Sequence, residues 1–160
     1  MMRELMLQDA AEVAALDAEI FGEHAWSLAA WEREAGAAGP DRRYVVLTED
    51  AGLVGYAGVL RAGSDADILT VAVAPGRRGK GHGAALVAEL IAVAESWRLQ
   101  AVFLEVEQDN AAAIGLYRTM GFGELGVRRH YYGQQRHALT MRRQLREPLG
   151  AVLLGGEADD

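Results

Sequence analysis

Between residues 10 and 20, Val13, Leu16 and Ile20 recur every three or four positions with small or charged residues between them. That spacing predicts an amphipathic helix. Asp9 ahead of Glu12 has the form of a cap with an acidic N3 partner, and Gly22 closes the run. Ser27 is a second N-cap type, opening a helix that carries Leu28 and Trp31 and fades by Gly36. Residues 3–7 predict a short first strand. Residues 44–48 and 53–60 predict two more, joined at 49–52 with Gly52 where a hairpin needs positive φ. A polar stretch, 61–66, reads as a loop. The apolar run 68–73, stopped by Pro75-Gly76, reads as a buried strand. Leu86, Val87, Leu90, Ile91 and Val93 then return to helical spacing over 84–97, in a segment rich in Ala and Leu. Residues 101–106 predict a strand and 110–119 a helix preceded by two cap candidates, Asp109 and Asn110. The last strands are 121–129 and 137–142, connected near Gly133.

The order is therefore β-α-α-β-β-β-α-β-α-β-β. Hairpins early and late, with helical crossovers between, imply an α/β protein with a mixed, mostly antiparallel central sheet and helices on both faces. No internal repeat is visible. The chain of 160 residues reads as one domain over 1–146, with an acidic, glycine-bearing and mobile tail over 147–160.

Composition narrows the function. No cysteine means no disulfide, thiol nucleophile or thiolate metal site, and fits a reducing cytoplasm. The start, Met1-Met2-Arg3-Glu4, does not read as a secretion signal, and no run is apolar enough to span a bilayer. A net charge of -7 argues against sequence-independent nucleic-acid binding, which needs a basic footprint. An acidic surface suits a cationic partner, although the same charge also serves plain solubility. The four histidines show no metal-ligand spacing, so no metal is expected.

Two stretches carry candidate chemistry. In the first, Gly79, Gly81 and Gly83 alternate among Arg77, Arg78, Lys80 and His82, between the strand at 68–73 and the helix from Ala84. Such a loop offers free backbone N–H groups and the positive end of a helix dipole to a phosphate. A P-loop fails, because His82 stands where its lysine must be. A dinucleotide fingerprint is met by Gly79-x-Gly81-x-x-Ala84, with Glu105 downstream. It wants the turn directly after the strand, and five residues intervene here. A solvated glycine turn is the bland alternative.

In the second stretch, strand alternation places Glu105 and Glu107 on one face, opposite Leu104 and Val106. Two carboxylates so placed repel each other, and partial burial adds to that; both effects favour a general base near neutrality. A solvated edge with two ordinary acids is equally open on this evidence. Asn110, Ala113, Ile114 and Tyr117 lie along one face of the following helix, where Tyr117 reads first as a core aromatic.

The pattern Arg78-x-x-Gly81-x-Gly83 after Val71-Ala72-Val73 resembles the acyl-CoA pyrophosphate loop of the GNAT superfamily of N-acetyltransferases. Leu104-Glu105-Val106, Asn110 to Ile114, Leu116-Tyr117 and Gly121-Phe122 extend the likeness, as do Ala25-Trp26-Ser27 and Arg128-Arg129-His130-Tyr131-Tyr132. Together these blocks cover roughly residues 3–143. They look most like the bacterial branch that acetylates the N-terminal alanine of small-subunit ribosomal protein eighteen.

The resemblance implies the acetyltransferase fold and acetyl-CoA as co-substrate, without a metal. It implies that the backbone of Val71, Ala72 and Val73 pairs with the pantetheine arm, and that Arg78, Gly79, Lys80, Gly81, His82, Gly83 and Ala84 hold the pyrophosphate. Asn110 becomes a cofactor contact, Glu105 the general base and Tyr117 the general acid. Trp26, Tyr131 and Tyr132 hold the substrate, a protein N-terminus, with no direct nucleic-acid or membrane partner and a cytoplasmic setting. An α-amine is mostly protonated below its pKa of about 7.7–8.0, so a base must act first; a tyrosine of pKa about 10 stays protonated as donor.

Two departures lie towards the substrate side. Ala25 stands where the family has proline, and His137 where it tends to carry an acid. They leave the preferred N-terminus open, along with two rival functions: acetylation of a small amine or lysine side chain, and non-catalytic acyl-CoA binding.

Overall fold

The structure, a computed structural model, describes residues 1–50, 52–133 and 136–146, with the side chains of 130–133 outside that description. Its elements are β1 (Met2–Glu4), α1 (Ala10–Phe21), α2 (Leu28–Gly36), β2 (Arg42–Glu49), β3 (Gly52–Ala62), β4 (Asp65–Val73), α3 (His82–Ser96), β5 (Ala101–Glu107), α4 (Ala111–Thr119), β6 (Gly123–Gly133) and β7 (Arg136–Gln144). Short 3₁₀ turns precede and follow α1 and follow β4. The predicted element order stands. The tail expected over 147–160 lies outside the described residues. No described helix is long and apolar enough to cross a membrane.

The chain forms two compact units. One comprises Met1–Leu60 with Ile68–Val93; the other comprises Arg61–Asp67 with the described residues from 94 onward. In the first unit the strands run in the order β1-β2-β3-β4. β1 and β2 pair antiparallel through Arg3↔Val46, and β2 and β3 through Tyr44↔Gly58 and Val46↔Tyr56. The register puts Tyr44 over Gly58: a Cβ there would lie 2.3 Å from the Tyr44 ring, so only glycine admits the aromatic. Val13 and Leu16 of α1, Trp31 of α2, Tyr44, Val46 and Tyr56 close one apolar core. On α3, Leu86, Val87, Leu90 and Ile91 form the buried stripe that their spacing predicts.

The first strand, the cap of α1 and the stretch before β4 differ from expectation. The first strand ends at Glu4, because residues Leu7–Asp9 form a 3₁₀ turn. Asp9 does not cap α1 with its side chain. Its carboxylate accepts from the Met6 N–H at 2.8 Å and from two Arg3 nitrogens at 2.7 and 2.8 Å. Glu12, the expected N3 partner, instead accepts the Leu53 N–H at 2.9 Å. The polar stretch 61–66 is not a loop: β3 reaches Ala62 and β4 starts at Asp65, with Gly63 at φ 65 in a two-residue turn. Backbone pairing there outweighs the polarity of the side chains.

In the second unit the order is β4-β5-β7-β6. β4 pairs parallel with β5 at Ala66↔Val102 and Asp67↔Phe103. β5 and β7 are antiparallel through Leu104↔Met141 and Glu105↔Thr140, and β6 pairs antiparallel with β7. Val102, Leu104 and Val106 are buried with Leu139, Met141, Phe122 and the α4 residues Ile114 and Tyr117. The alternation predicted for β5 is present, with Glu105 and Glu107 on its half-buried face.

Candidate active site

The second unit assembles its polar groups on that face of β5. Glu105 divides its two oxygens between neighbours. Oε2 accepts the Thr140 hydroxyl at 2.8 Å, and Oε1 accepts the Arg128 guanidinium at 3.2 Å. Glu107 takes a bidentate pair from Arg136, with Nε and Nη2 both at 2.9 Å. The repulsion expected between the two glutamates is therefore answered by an arginine at each. Like-charge pressure falls instead on Asp67, whose carboxyl is held above the usual range by burial first, then by Asp65 and Glu105.

β5 turns directly into α4, the Asn110 N–H donating to the Glu107 carbonyl at 2.9 Å. Asn110 is the N-cap, its Oδ1 accepting the Ala113 N–H at 3.1 Å, a bond that does not engage its amide NH₂. Two turns on, Tyr117 is 9% exposed and packs edge-on against Phe122, ring centres 5.9 Å apart. Its ring packs in the core, as its spacing suggests. Burial pushes its hydroxyl up to about 12, and among the described residues no hydrogen bond to that hydroxyl is found.

The first unit carries the glycine loop. Gly79 and Gly81 adopt φ of 80° and 83°, a region that L side chains rarely enter, and a Cβ at either would meet only open space. The first helical bond of α3 runs from the Ala85 N–H to the Gly81 carbonyl at 3.0 Å. The N–H groups of Gly81, His82, Gly83 and Ala84 therefore have no helical carbonyl of their own. The partners of β5 on β4 are Ala66 and Asp67, so that pairing does not extend to Val71 and Ala72. The Val73 carbonyl is taken by Arg78 Nε at 3.0 Å, so Arg78 braces the strand end. Arg77 pairs with Glu49 at 2.6 Å, and the buried His82 Nε2 lies 3.8 Å from the same carboxylate without a hydrogen bond. These contacts leave the open glycine backbone as the loop's natural anion donor.

Trp26 enters α2 over an aromatic cluster, 4.9 Å from Trp31 and 6.3 Å from Tyr44, centre to centre. Beneath it lies a residue that pattern reading passed over. Asp17 is 4% exposed and accepts from the Trp26 N–H at 2.7 Å, from Trp31 Nε1 at 3.3 Å and from the Tyr56 hydroxyl. The signal was available: Val13, Leu16, Asp17 and Ile20 share the i, i+3, i+4, i+7 face, so an acid stands on the buried stripe. Thr140 was also missed, because only the β5–β7 register brings it to Glu105.

Val71 to Val73, Arg78 to Ala84 and Trp26 thus belong to the first unit; Glu105, Asn110 and Tyr117 belong to the second. Tyr131 and Tyr132 fall on β6, with side chains outside the described residues. Among the described residues, no group of three or more His, Cys, Asp or Glu is placed to hold a metal.

Residues 7–122 match the acetyltransferase (GNAT) family, and the chain belongs to it. It is 40% identical over 146 residues to the N-alpha-acetyltransferase RimI of Mycobacterium tuberculosis, covering 88% of this chain and 89% of that one. It is 34% identical over 104 residues to the [ribosomal protein bS18]-alanine N-acetyltransferase of Escherichia coli K12, covering 64% and 70%. The crystal structure of the ribosomal-protein-S18-alanine N-acetyltransferase from Escherichia coli superposes with a TM-score of 0.80 at 25% identity, over 92% and 95% of the two chains. The family match sets aside the dinucleotide reading of the loop.

Proposed function

We propose that this acetyltransferase transfers the acetyl group of acetyl-CoA to the N-terminal α-amine of a protein, with the N-terminal alanine of ribosomal protein bS18 as its substrate. The name of the Escherichia coli relative supports that substrate, and the name of the mycobacterial one supports transfer to an α-amine. The observation that carries the chemistry is Glu105, half-buried on β5 with one oxygen on Thr140 and the other facing a cation.

Acetyl-CoA supplies the acetyl group as a thioester. The open backbone at Gly79 and Gly81, with the N–H groups opening α3, fits its pyrophosphate. Lys80 adds positive charge beside them, and the backbone of Val71 and Ala72 on β4 is assigned to the amides of its pantetheine arm. The amide NH₂ of Asn110 is a further contact. Glu105 Oε1 accepts a proton from the acceptor's ammonium, freeing the nitrogen lone pair to attack the thioester carbon. As the new C–N bond forms and the C–S bond breaks, the Tyr117 O–H gives its proton to the departing sulfur. The upward push on Tyr117 keeps that proton in place throughout the neutral range. Trp26, Tyr131 and Tyr132 are assigned to the acceptor's first residues.

The test is mass spectrometry of two peptides incubated with the enzyme and acetyl-CoA. One has a free N-terminal alanine, and the other an acetylated N-terminus and internal lysines. Acetylation of the first alone is the expected result. Modification of the second, or of a small amine in preference to both, would replace the reading with a side-chain or small-amine transferase.

A further inference from the structure

Glutamate hangs its carboxylate on three rotatable bonds, and a base that swings among rotamers spends little time aimed at its proton. Among the described residues, two unequal partners tether the side chain. Arg128, 59% exposed at the side chain against 23% for Glu105, is the solvent-facing partner on Oε1. Thr140 is the inner one, in a part-buried bond on Oε2.

The two strands decide that bond. Glu105 and Thr140 are register partners on antiparallel β5 and β7, so their side chains rise from the same face at neighbouring positions. Leu139 and Met141, on either side of Thr140, are buried at 6% and 0% exposure and pin its backbone. A β-branched side chain on a pinned strand has little χ1 freedom, which fixes where its hydroxyl points.

We propose that Thr140 is a positioning residue: by holding Oε2 it aims Oε1 at the place where a cation sits, so that Oε1 is the oxygen that takes the acceptor's proton. Arg128 fills that place in the free protein and yields it to the acceptor's ammonium. This rests on the base role proposed for Glu105, and the experiment separates the two.

Steady-state kinetics with acetyl-CoA and the alanine-terminated peptide would compare the parent with Thr140→Val, Thr140→Ser, Glu105→Gln and the Thr140→Val/Glu105→Gln pair. Thermal midpoints would be measured alongside. Thr140→Val should lower kcat roughly 10-fold, the worth of one hydrogen bond to a charged group, with KM for acetyl-CoA unchanged. Thr140→Ser, which keeps the hydroxyl, should restore kcat to within about twofold. In the Glu105→Gln background Thr140→Val should cost nothing further, since the group it aims is gone. An equal loss in both backgrounds, or a serine variant as slow as the valine one, would overturn the positioning role. So would a full-speed Thr140→Val enzyme beside a slow Glu105→Gln one, and that result would leave the base assignment intact. A Glu105→Gln enzyme at full rate would remove the base and the positioning role together.

Discussion

The backbone N–H of Trp26 donates to the Asp17 carboxylate at 2.7 Å, so a buried acid on α1 holds the start of the segment that leads into α2. The same carboxylate takes the Trp31 indole and the Tyr56 hydroxyl. Burial, and then Asp17 itself, push the Tyr56 ionisation upward, which keeps it a donor. Asp17→Ala would strand three donors in or beside the core and should cost about 3 kcal/mol in urea unfolding. Tyr56→Phe removes one donor and leaves the carboxylate two others, so its cost should be nearer 1 kcal/mol. A near-neutral Asp17→Ala would show that the acid is not what fastens this segment.

Asp67 is expected to behave in the opposite sense to a paired acid. Its folded pKa lies above the unfolded one, through burial first and the neighbouring Asp65 and Glu105 second. The fold therefore prefers its protonated form. That contribution is fully present below the ordinary aspartate value of about 3.9 and is lost as pH rises through the folded pKa. Asp67→Asn, permanently neutral, should raise the urea midpoint at pH 7, and the gain should close as pH falls towards about 3. A midpoint difference that does not change with pH would show that charge is not its source.

Tyr117→Phe separates packing from chemistry. The edge-on contact with Phe122 survives the change, and no hydrogen bond to the hydroxyl is lost among the described residues. The unfolding midpoint should therefore stay close to the parent's while kcat falls by roughly 10²–10⁴, the range for a lost proton donor. Because burial pushes this hydroxyl up to about 12, an ultraviolet titration of the phenols should find it still protonated at the ordinary tyrosine value of about 10. Full turnover in Tyr117→Phe would leave Tyr117 as packing alone.

Local chemistry made much of the molecule legible before any coordinates. Ser27 and Asn110 are helix caps by residue type and cap in fact, accepting from Ala30 and Ala113 at 3.1 Å each. Gly52, placed where a hairpin needs positive φ, adopts φ 112. Expectation and structure part where a neighbouring side chain or a backbone pairing competes with the pattern. Asp9 looked like a cap until Arg3, six residues earlier, claimed its carboxylate. The polar stretch before β4 looked like a loop until backbone pairing carried both strands to within two residues of each other.

Periodicity and residue type depend on neighbours one to four positions away, so the order of strands and helices, their buried faces and the glycine turn were determined by the sequence itself. Which polar group answers which is a matter of register between strands far apart in the chain. Thr140 meets Glu105 across 35 positions, and Tyr56 meets Asp17 across 39. No local pattern encodes such meetings, because a slip of one residue in a strand turns every side chain to the other face. Only the tertiary structure decided that one glutamate of the pair on β5 is held by a threonine and an arginine, and the other by an arginine fork.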